Sequence, residues 1–386
     1  MKIALFSHVT YPFTNGVAVS VEQLARTLRN KGHEVTIITN NYKKFSNDFS
    51  NSENIKVISM PIFYQNLRTP ILINPLLFKE LSKNDYDIIH SHSDFGLAIL
   101  ARLYSKKHHI PLIHTYHCNY LGYAKSNFGK YSPYIFYIPV KLHTKLLCKT
   151  SNRVIVPSFE TKRLLKDKFK IKKNVDVIPN GVDLLKFNKE NSNINELKKK
   201  LRIEKDDFVI LSISRLSKEK GIDEIIGLLL NLPNYIKVKL LIVGGGKEEK
   251  RLKKLVSKLN LNNVIFTGEV PFDKVQDYYN IGNIFIINSY AETQGLSVIE
   301  ALASSLPVIC PNISLFHELI KNNDNGVLFD NIDELPNIIK MYYDNPKLLV
   351  NMREKARESV YDFSLNKMID NVEKIYEEEI SKKYNK

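Results

Sequence analysis

No run of 18 or more apolar residues occurs in this 386-residue chain, which excludes an ordinary transmembrane helix. The opening run Met1-Lys2-Ile3-Ala4-Leu5-Phe6 is stopped by Ser7 and His8, and no small-residue cleavage site follows, so it reads as a buried strand and not a secretion signal. Cysteine is scarce: Cys118, Cys148 and Cys310 are odd in number, far apart and outside any metal-ligand spacing. That excludes a disulfide scaffold and suits reduced thiols in the cytosol. His90-Ser91-His92 and His108-His109 lack Cys or carboxylate partners at zinc spacing, so no metal site is expected. The fourth absence is local: between Asp94 and Glu160 there is no acidic residue at all.

What is present includes a large charge excess, 56 Lys plus Arg against 41 Asp plus Glu. Residues 101–200 hold 21 basic and 6 acidic residues and account for the whole net +15, whereas residues 201–386 hold 25 and 27. Background composition would spread the excess evenly. A concentrated one points to nucleic acid, an anionic membrane surface or a phosphorylated substrate. Between Asn119 and Thr150 the cations interleave with Tyr120, Tyr123, Phe128, Tyr131, Tyr134, Phe136 and Tyr137, and Lys141, Lys145 and Lys149 recur every four residues. Cations beside interfacial aromatics suit a helix lying on an anionic bilayer, so residues of about 102–173 are expected to dock there; part of the aromatic set is alternatively core. A nucleic-acid backbone is the rival polyanion.

Hydrophobic residues make up 44% and charged ones 25%, enough for a packed core, and the length favours two domains. Short apolar runs alternate with helical patterns: strands at Ile3–Ser7, Glu34–Thr39, Ile55–Met60, Ile88–Ser91 and Leu112–Thr115, and a helix at Gly16–Asn30. A second series has strands at Phe208–Ser214, Val238–Val243, Val264–Thr267, Ile284–Asn288 and Val308–Cys310, with helices at Gly221–Leu230, Glu248–Leu259, Asp273–Asn280 and Ser297–Ser304 between them. Alternation of this kind predicts α/β architecture, two doubly wound parallel sheets facing one another across a cleft at their carboxyl edges. The junction falls at Pro179-Asn180-Gly181-Val182-Asp183, giving domains at 1–182 and 183–359, and the tail from about Asn351 is helical.

Chemistry-bearing residues follow several of these strands. Arg215 and Lys220 sit five apart in the loop after one strand and could hold a diphosphate and stabilise it as it leaves, or be two solvated cations. Val243-Gly244-Gly245-Gly246 closes another strand; such a turn lets backbone amides approach phosphate, or is structural only. Glu292-Thr293-Gln294-Gly295-Leu296 leads into a helix carrying Glu300. A carboxylate at Glu300 can accept two hydrogen bonds from vicinal hydroxyls such as a ribose presents, while Glu292 could contact sugar hydroxyls or a developing positive charge. In the first half, Gly16 opens a helix after the first strand, and His114 ends a strand at the same edge. Asp85-Tyr86-Asp87 matches a metal-binding Asp-x-Asp, yet it precedes a strand, at the end away from the expected site, and reads as a leading loop.

Asn15-Gly16-Val17, His90-Ser91-His92, His114-Thr115, Pro157-Ser158, Pro179 to Asp183, Ser214-Arg215-Leu216 through Lys220-Gly221, Gly244-Gly245-Gly246, and the pair Glu292 and Glu300 together resemble the family-four retaining glycosyltransferases of GT-B architecture. The resemblance implies a nucleotide-diphosphate sugar donor held mostly by the second domain. It implies Arg215, Lys220 and Gly16 near the diphosphate, Glu300 on the ribose, and Glu292, Thr293, Gln294, Gly295, Leu296 and His114 near the sugar, with Gly244 among the donor-binding residues. It also implies a C-terminal helix, about 360–386, crossing back to the first domain, and no metal or other cofactor, Arg215 and Lys220 replacing the cation.

Tyr11-Pro12, His92-Ser93-Asp94-Phe95-Gly96 and His114-Thr115 with Tyr120 and Tyr123 look most like the diacylglycerol glucosyltransferases, which places Val17 and Tyr120 on the acceptor side. The expectation is a hexosyltransferase moving glucose from UDP-glucose to a membrane lipid such as diacylglycerol, peripheral on the cytoplasmic face of the membrane. Transfer to a polysaccharide, a phosphoinositol lipid or a soluble acceptor, nucleotide-sugar epimerisation, and nucleic-acid binding are the competing readings; Arg215 and Lys220 with the paired glutamates argue against the last.

Overall fold

A computed structural model describes residues 1–10, 16–40, 55–60, 75–129, 131–187 and 194–384. The chain divides into two compact units: residues 1–118, 134–181 and 365–386 form unit 1, and residues 119–133 and 182–364 form unit 2. The segment Asn119–Pro133, expected with the first half of the chain, thus groups with unit 2.

Unit 1 carries a seven-stranded, all-parallel sheet in the order β3-β2-β1-β4-β5-β6-β7. Its strands are β1 (Lys2–Phe6), β2 (Glu34–Asn40), β3 (Ile55–Met60), β4 (Ile88–Ser91), β5 (Leu112–Thr115), β6 (Arg153–Val156) and β7 (Val175–Val177). Both faces of such a sheet are covered, so its strands are apolar throughout, as Ile3-Ala4-Leu5-Phe6 shows with no exposure at any of the four side chains. Alternate residues serve opposite layers. Ile3 and Leu5 pack with Leu24 and Leu28 of α1 (Gly16–Asn30), whereas Ala4 and Phe6 pack with Leu97, Leu100 and Tyr104 of α3 (Gly96–His108). Gly32, at φ +87°, closes α1 in the left-handed conformation expected of it. A shorter helix, α2 (Pro75–Leu81), lies before β4.

α4 (Tyr120–Phe128) belongs to unit 2, and α5 (Ser132–Lys149) runs from there into unit 1. α6 (Phe159–Arg163) follows β6 and continues as a wider turn at Leu164–Lys168.

Unit 2 repeats the plan with six parallel strands in the order β10-β9-β8-β11-β12-β13. They are β8 (Phe208–Ile213), β9 (Val238–Val243), β10 (Val264–Phe266), β11 (Ile284–Ile286), β12 (Val308–Pro311) and β13 (Gly326–Phe329). Helices α7 (Ile194–Lys200), α8 (Ile222–Gly227), α9 (Glu249–Lys258), α10 (Val275–Tyr279), α11 (Leu296–Ala303), α12 (Leu335–Asp344) and α13 (Pro346–Glu358) surround the sheet. The last helix, α14 (Leu365–Tyr384), returns to unit 1, where Met368, Ile369, Val372 and Tyr376 join the core beneath β1, β4 and β5. Lys31 and His33 pair with Glu373, and Arg153 with Glu378, along the same helix.

Both sheets share one topological property. In each, the first strand of the series, β1 or β8, lies beside the strand that begins the opposite winding, β4 or β11. Loops leaving such a pair part to opposite faces, and the crevice between them is where doubly wound sheets bind ligands. Asp85-Tyr86-Asp87 leads into β4 as expected: the Lys2 amide donates to Asp87 Oδ2 at 2.6 Å, tying this loop to the start of β1.

Candidate functional site

In unit 2 the sequence-predicted residues gather at the switch point between β8 and β11. After β8, Arg215 enters a loop that forms one helical turn at Lys218–Lys220. Arg215 Nη2 donates to Glu219 Oε1 at 2.8 Å, and the Ser217 hydroxyl donates to the same oxygen at 2.6 Å. Glu219 is buried and its carboxyl lies below the ordinary carboxylate range: burial works against this, but the Ser217 hydroxyl, a backbone amide and the Arg215 guanidinium outweigh it. Arg215 itself stays 59% exposed, so it is tethered at one edge with its remaining donors open.

Gly221 follows at φ +58°, and a Cβ there would fall 2.5 Å from Asn288 Nδ2 and 2.8 Å from the Asn288 carbonyl. Only glycine lets this turn close against the end of β11. Asn288 secures the other side by donating to Glu224 Oε2 of α8 at 2.7 Å.

Lys220 Nζ makes a direct ion pair with Glu292 Oε1. Burial alone would raise the Glu292 carboxyl; the Lys220 ammonium, with help from the Ser289 hydroxyl, carries it below its usual range. The two residues are 72 positions apart and were expected near one ligand; the fold brings them into contact. Thr293 and Gln294 continue the loop, and Gly295 caps α11 at φ +81°, its missing Cβ lying 3.0 Å from the Phe316 ring.

Glu300, in the second turn of α11, is buried and pairs with none of these cations. The Tyr279 hydroxyl donates to its Oε2 at 2.8 Å. Burial pushes its carboxyl up to about 7, with Tyr279 and the more distant Lys186 charge pulling the other way.

The glycine turn after β9 has a packing role that the sequence left open. A Cβ on Gly244 would sit 2.0 Å from the Ser214 carbonyl oxygen, and one on Gly246 would sit 2.2 Å from the Leu216 carbonyl oxygen. The Leu216 amide donates to Gly245 O at 2.8 Å, and the Glu248 amide donates to Leu216 O at 3.1 Å. These glycines therefore let the β9 loop clasp the β8 loop and hold Arg215 at its post. α4, which Tyr120 opens and Asn119 caps, packs beside the Lys218–Lys220 turn within the same unit.

Unit 1 presents a second group at the ends of β4 and β5. His114 has no exposure; its Nδ1 lies 3.2 Å from the Ser91 carbonyl and its Nε2 lies 3.6 Å from Asp94 Oδ1. His90 pairs with Tyr376 Oη at 2.6 Å and Thr115 Oγ1 at 2.7 Å, and His92 Nδ1 pairs with His117 Nε2 at 2.9 Å. Burial holds the whole cluster in its neutral form: His90 is pushed down to about 3, His117 to about 4, and His92 and His114 well below 6.5. A small cavity beside it is lined by His90, His92, Thr115, Ser20 and Asn180. Gly16 and Val17 begin α1, and the preceding motif residues Tyr11 to Asn15 lie outside the described residues.

Glu219, Ser289 and Tyr279 escaped sequence reasoning as site residues, and Asp94 entered it only within the motif from His92 to Gly96. Glu219 lies between the two cations and could have been found from that; Tyr279 carries no local signal and reaches Glu300 only through the tertiary fold.

The parts of the basic, acid-free segment that belong to unit 1 form an exposed face there. From α3 and its N-cap, Phe95, Ile99 and Leu103 project, and from α5 Ile135, Ile138, Leu142 and Leu146 do. The Arg102 guanidinium fastens these helices, donating to Thr150 Oγ1 and the Leu147 carbonyl, and Phe95 stacks on His143. Tyr134 on this unit and Tyr131 on unit 2, candidates for the core from sequence, are 79% and 73% exposed. No helix among the described residues is long and apolar enough to cross a membrane.

Comparison with known proteins places these residues in context. Residues 193–359 match the family model described as "Glycosyl transferases group 1", and residues 14–185 match "Glycosyltransferase Family 4". The chain is 33% identical to an alpha-monoglucosyldiacylglycerol synthase of Streptococcus pneumoniae, covering 85% of this chain and 75% of that protein. It is 29% identical to the protein of the same description from Acholeplasma laidlawii, over 99% of this chain and 98% of the relative. Among solved structures, Anabaena HepE in complex with UDP and glucose superimposes with a TM-score of 0.78 at 20% identity, covering 97% of this chain and 99% of the other.

Proposed function

This chain belongs to the family-four glycosyltransferases, and on that premise we propose that it moves glucose from UDP-glucose to diacylglycerol with retention of configuration. The observation that carries the reading is the pairing of Lys220 with Glu292 beside Arg215, at the switch point of a chain one third identical to a synthase of that product class.

In this reading the diphosphate lies against Arg215 and Lys220, the loop from Glu292 to Leu296 faces the sugar, and Glu300 accepts from the ribose hydroxyls. The bond from C1 to the diphosphate oxygen breaks while the acceptor oxygen closes on C1 from the same face. The acceptor's proton passes to the departing phosphate oxygen, and the two cations hold the charge that develops on the diphosphate. No protein nucleophile is needed, and Arg215 and Lys220 supply the positive charge that a metal would otherwise bring. Tethering by Glu219 and Glu292 keeps both cations in place before the donor arrives, so less order is lost on binding.

Support for a lipid acceptor comes from the α3–α5 face. Its seven exposed apolar side chains are bordered by Lys106, Lys107, Lys141, Lys145 and Lys149, with no carboxylate among residues 95–159. Each cation near an anionic leaflet contributes about 1 kcal/mol, so five give strong but salt-sensitive docking. This face would set the enzyme peripherally on the membrane that supplies its acceptor.

The test is product analysis with purified protein, labelled UDP-glucose and UDP-galactose, and diacylglycerol in vesicles containing phosphatidylglycerol. Glucosyl-diacylglycerol with an α anomeric proton coupling is expected. Label appearing only in a water-soluble product, or a β linkage, refutes the reading. Flotation with the same vesicles and with neutral ones separates the docking claim, because equal binding to both at low salt overturns it.

A further inference from the structure

We propose that Tyr279 is a positioning residue for nucleotide binding: its hydroxyl holds one oxygen of the Glu300 carboxylate and leaves the other to meet the donor's vicinal ribose hydroxyls. This rests on the reading of Glu300 as the ribose contact.

The geometry begins with the placement of Tyr279 at the last residue of α10, fully buried, with its ring packed against Phe187 and Phe285. Those ring contacts leave the phenol one direction in which to aim its hydroxyl. It lies 2.8 Å from Glu300 Oε2 and 3.3 Å from the Ser297 carbonyl, both on α11. A single O–H cannot donate to both, and the shorter contact to a charged acceptor is the stronger. The two acceptors give the hydroxyl two stations. Facing an ionised Glu300 it donates to the carboxylate; facing a protonated one it can turn to Ser297 and accept from the carboxyl instead.

The other charged group facing Glu300 among the described residues is Lys186, acting at longer range and itself donating to the Phe272 carbonyl at 3.1 Å. Tyr279 is therefore the close donor that favours the charged form of a carboxylate which burial holds near neutrality. That form offers two charged acceptor oxygens, whereas the protonated form makes one of them an O–H donor, so the phenol's effect on nucleotide affinity depends on pH.

The experiment is isothermal titration of wild type and Tyr279→Phe with UDP at pH 6, 7, 8 and 9. Tyr279→Phe retains the ring contacts, and circular dichroism checks its fold. At pH 7 the variant is expected to bind roughly tenfold more weakly, the effect of one lost charge-assisted hydrogen bond. The ratio of variant to wild type cancels the titration of UDP itself, and it should approach unity as pH rises to 9. Turnover at saturating donor should change far less than the donor KM. In a Glu300→Gln background, Tyr279→Phe should add no pH-dependent effect. A ratio that is constant with pH, or a pH-dependent effect that persists with Gln at 300, overturns the positioning role while leaving the donor reading in place. Failure of the wild type to bind any nucleoside diphosphate overturns both.

Discussion

Replacing Lys220 with alanine removes a cation expected on the diphosphate, but it also strands a buried carboxylate. Glu292 keeps 17% of its side-chain exposure and Lys220 keeps 18%, so both groups are largely removed from water. Breaking such a pair by deleting one partner costs about 3–5 kcal/mol when it is fully buried, and the residual exposure puts this case near 3 kcal/mol. For a unit of this size each kcal/mol moves the midpoint by roughly 2–4 °C, so Lys220→Ala should melt about 6–12 °C below wild type at pH 7. Because of the ion pair the substitution reaches the fold as well as the reaction.

The sign of the pH dependence follows from the same contact. In the wild type the Glu292 carboxyl is held below its unfolded value, so its contribution is present above that value and lost on acidification. In the variant burial and the nearby Glu219 charge are opposed only by the Ser289 hydroxyl, so the carboxyl moves up from its wild-type value and the penalty is relieved as the group takes up a proton. The gap between the two proteins should therefore shrink from pH 7 to pH 4.5, measured by differential scanning calorimetry at both. The double variant Lys220→Ala/Glu292→Gln should recover most of the stability and none of the transfer activity. Equal midpoints at pH 7, or a gap that does not change with pH, refute the reasoning.

Two further outcomes follow from other parts of the fold. Gly244→Ala should cost at least about 3 kcal/mol, because the new methyl group meets the Ser214 carbonyl at 2.0 Å from a backbone at φ +128°; a urea midpoint within error of wild type would show that the clasp is dispensable. In unit 1, burial of His90 and His117 lowers their folded values to about 3 and about 4, so stability is intact above pH 6.5 and falls as pH drops from there toward 4. With about 1.4 kcal/mol per histidine per pH unit, the two together remove roughly 3 kcal/mol between pH 6 and pH 5, and a flat urea midpoint across that interval would contradict it.

Much of the fold was readable because parallel strands buried on both faces leave continuous apolar runs, as at Phe208–Leu211 and Leu240–Val243. The strands that escaped, β6, β7 and β13, have only three or four residues and lie in stretches rich in lysine or asparagine. Helix limits differed where the chain changes pitch. The expected helix Gly221–Leu230 is α8 followed by a tighter turn at Leu228–Asn231, because Gly221 stands outside the helix in a left-handed conformation. At the site, Arg215, Lys220, Glu292 and Glu300 were visible as charged residues after strands. Their partners were not: Glu219 was hidden among neighbouring charges, and Tyr279 reads as one more aromatic in an apolar turn. Sequence order also hid the attachment of Asn119–Pro133 to unit 2, since the chain on both sides of it belongs to unit 1.

The return of α14 to unit 1 sets an order of events during synthesis. Every residue of unit 2 has been polymerised by Ser364, whereas the sheet of unit 1 still lacks the helix that packs with Ile3, Leu5, Ile88 and Ile113. At 5–20 residues per second, the stretch from Gly181 to Leu365 takes roughly 10–40 s to make. Throughout that interval α1 alone packs against Ile3 and Leu5, and the part of that face which α14 will cover stays open to water. A nonsense codon just before Leu365 would therefore be a folding lesion in the half of the protein translated first.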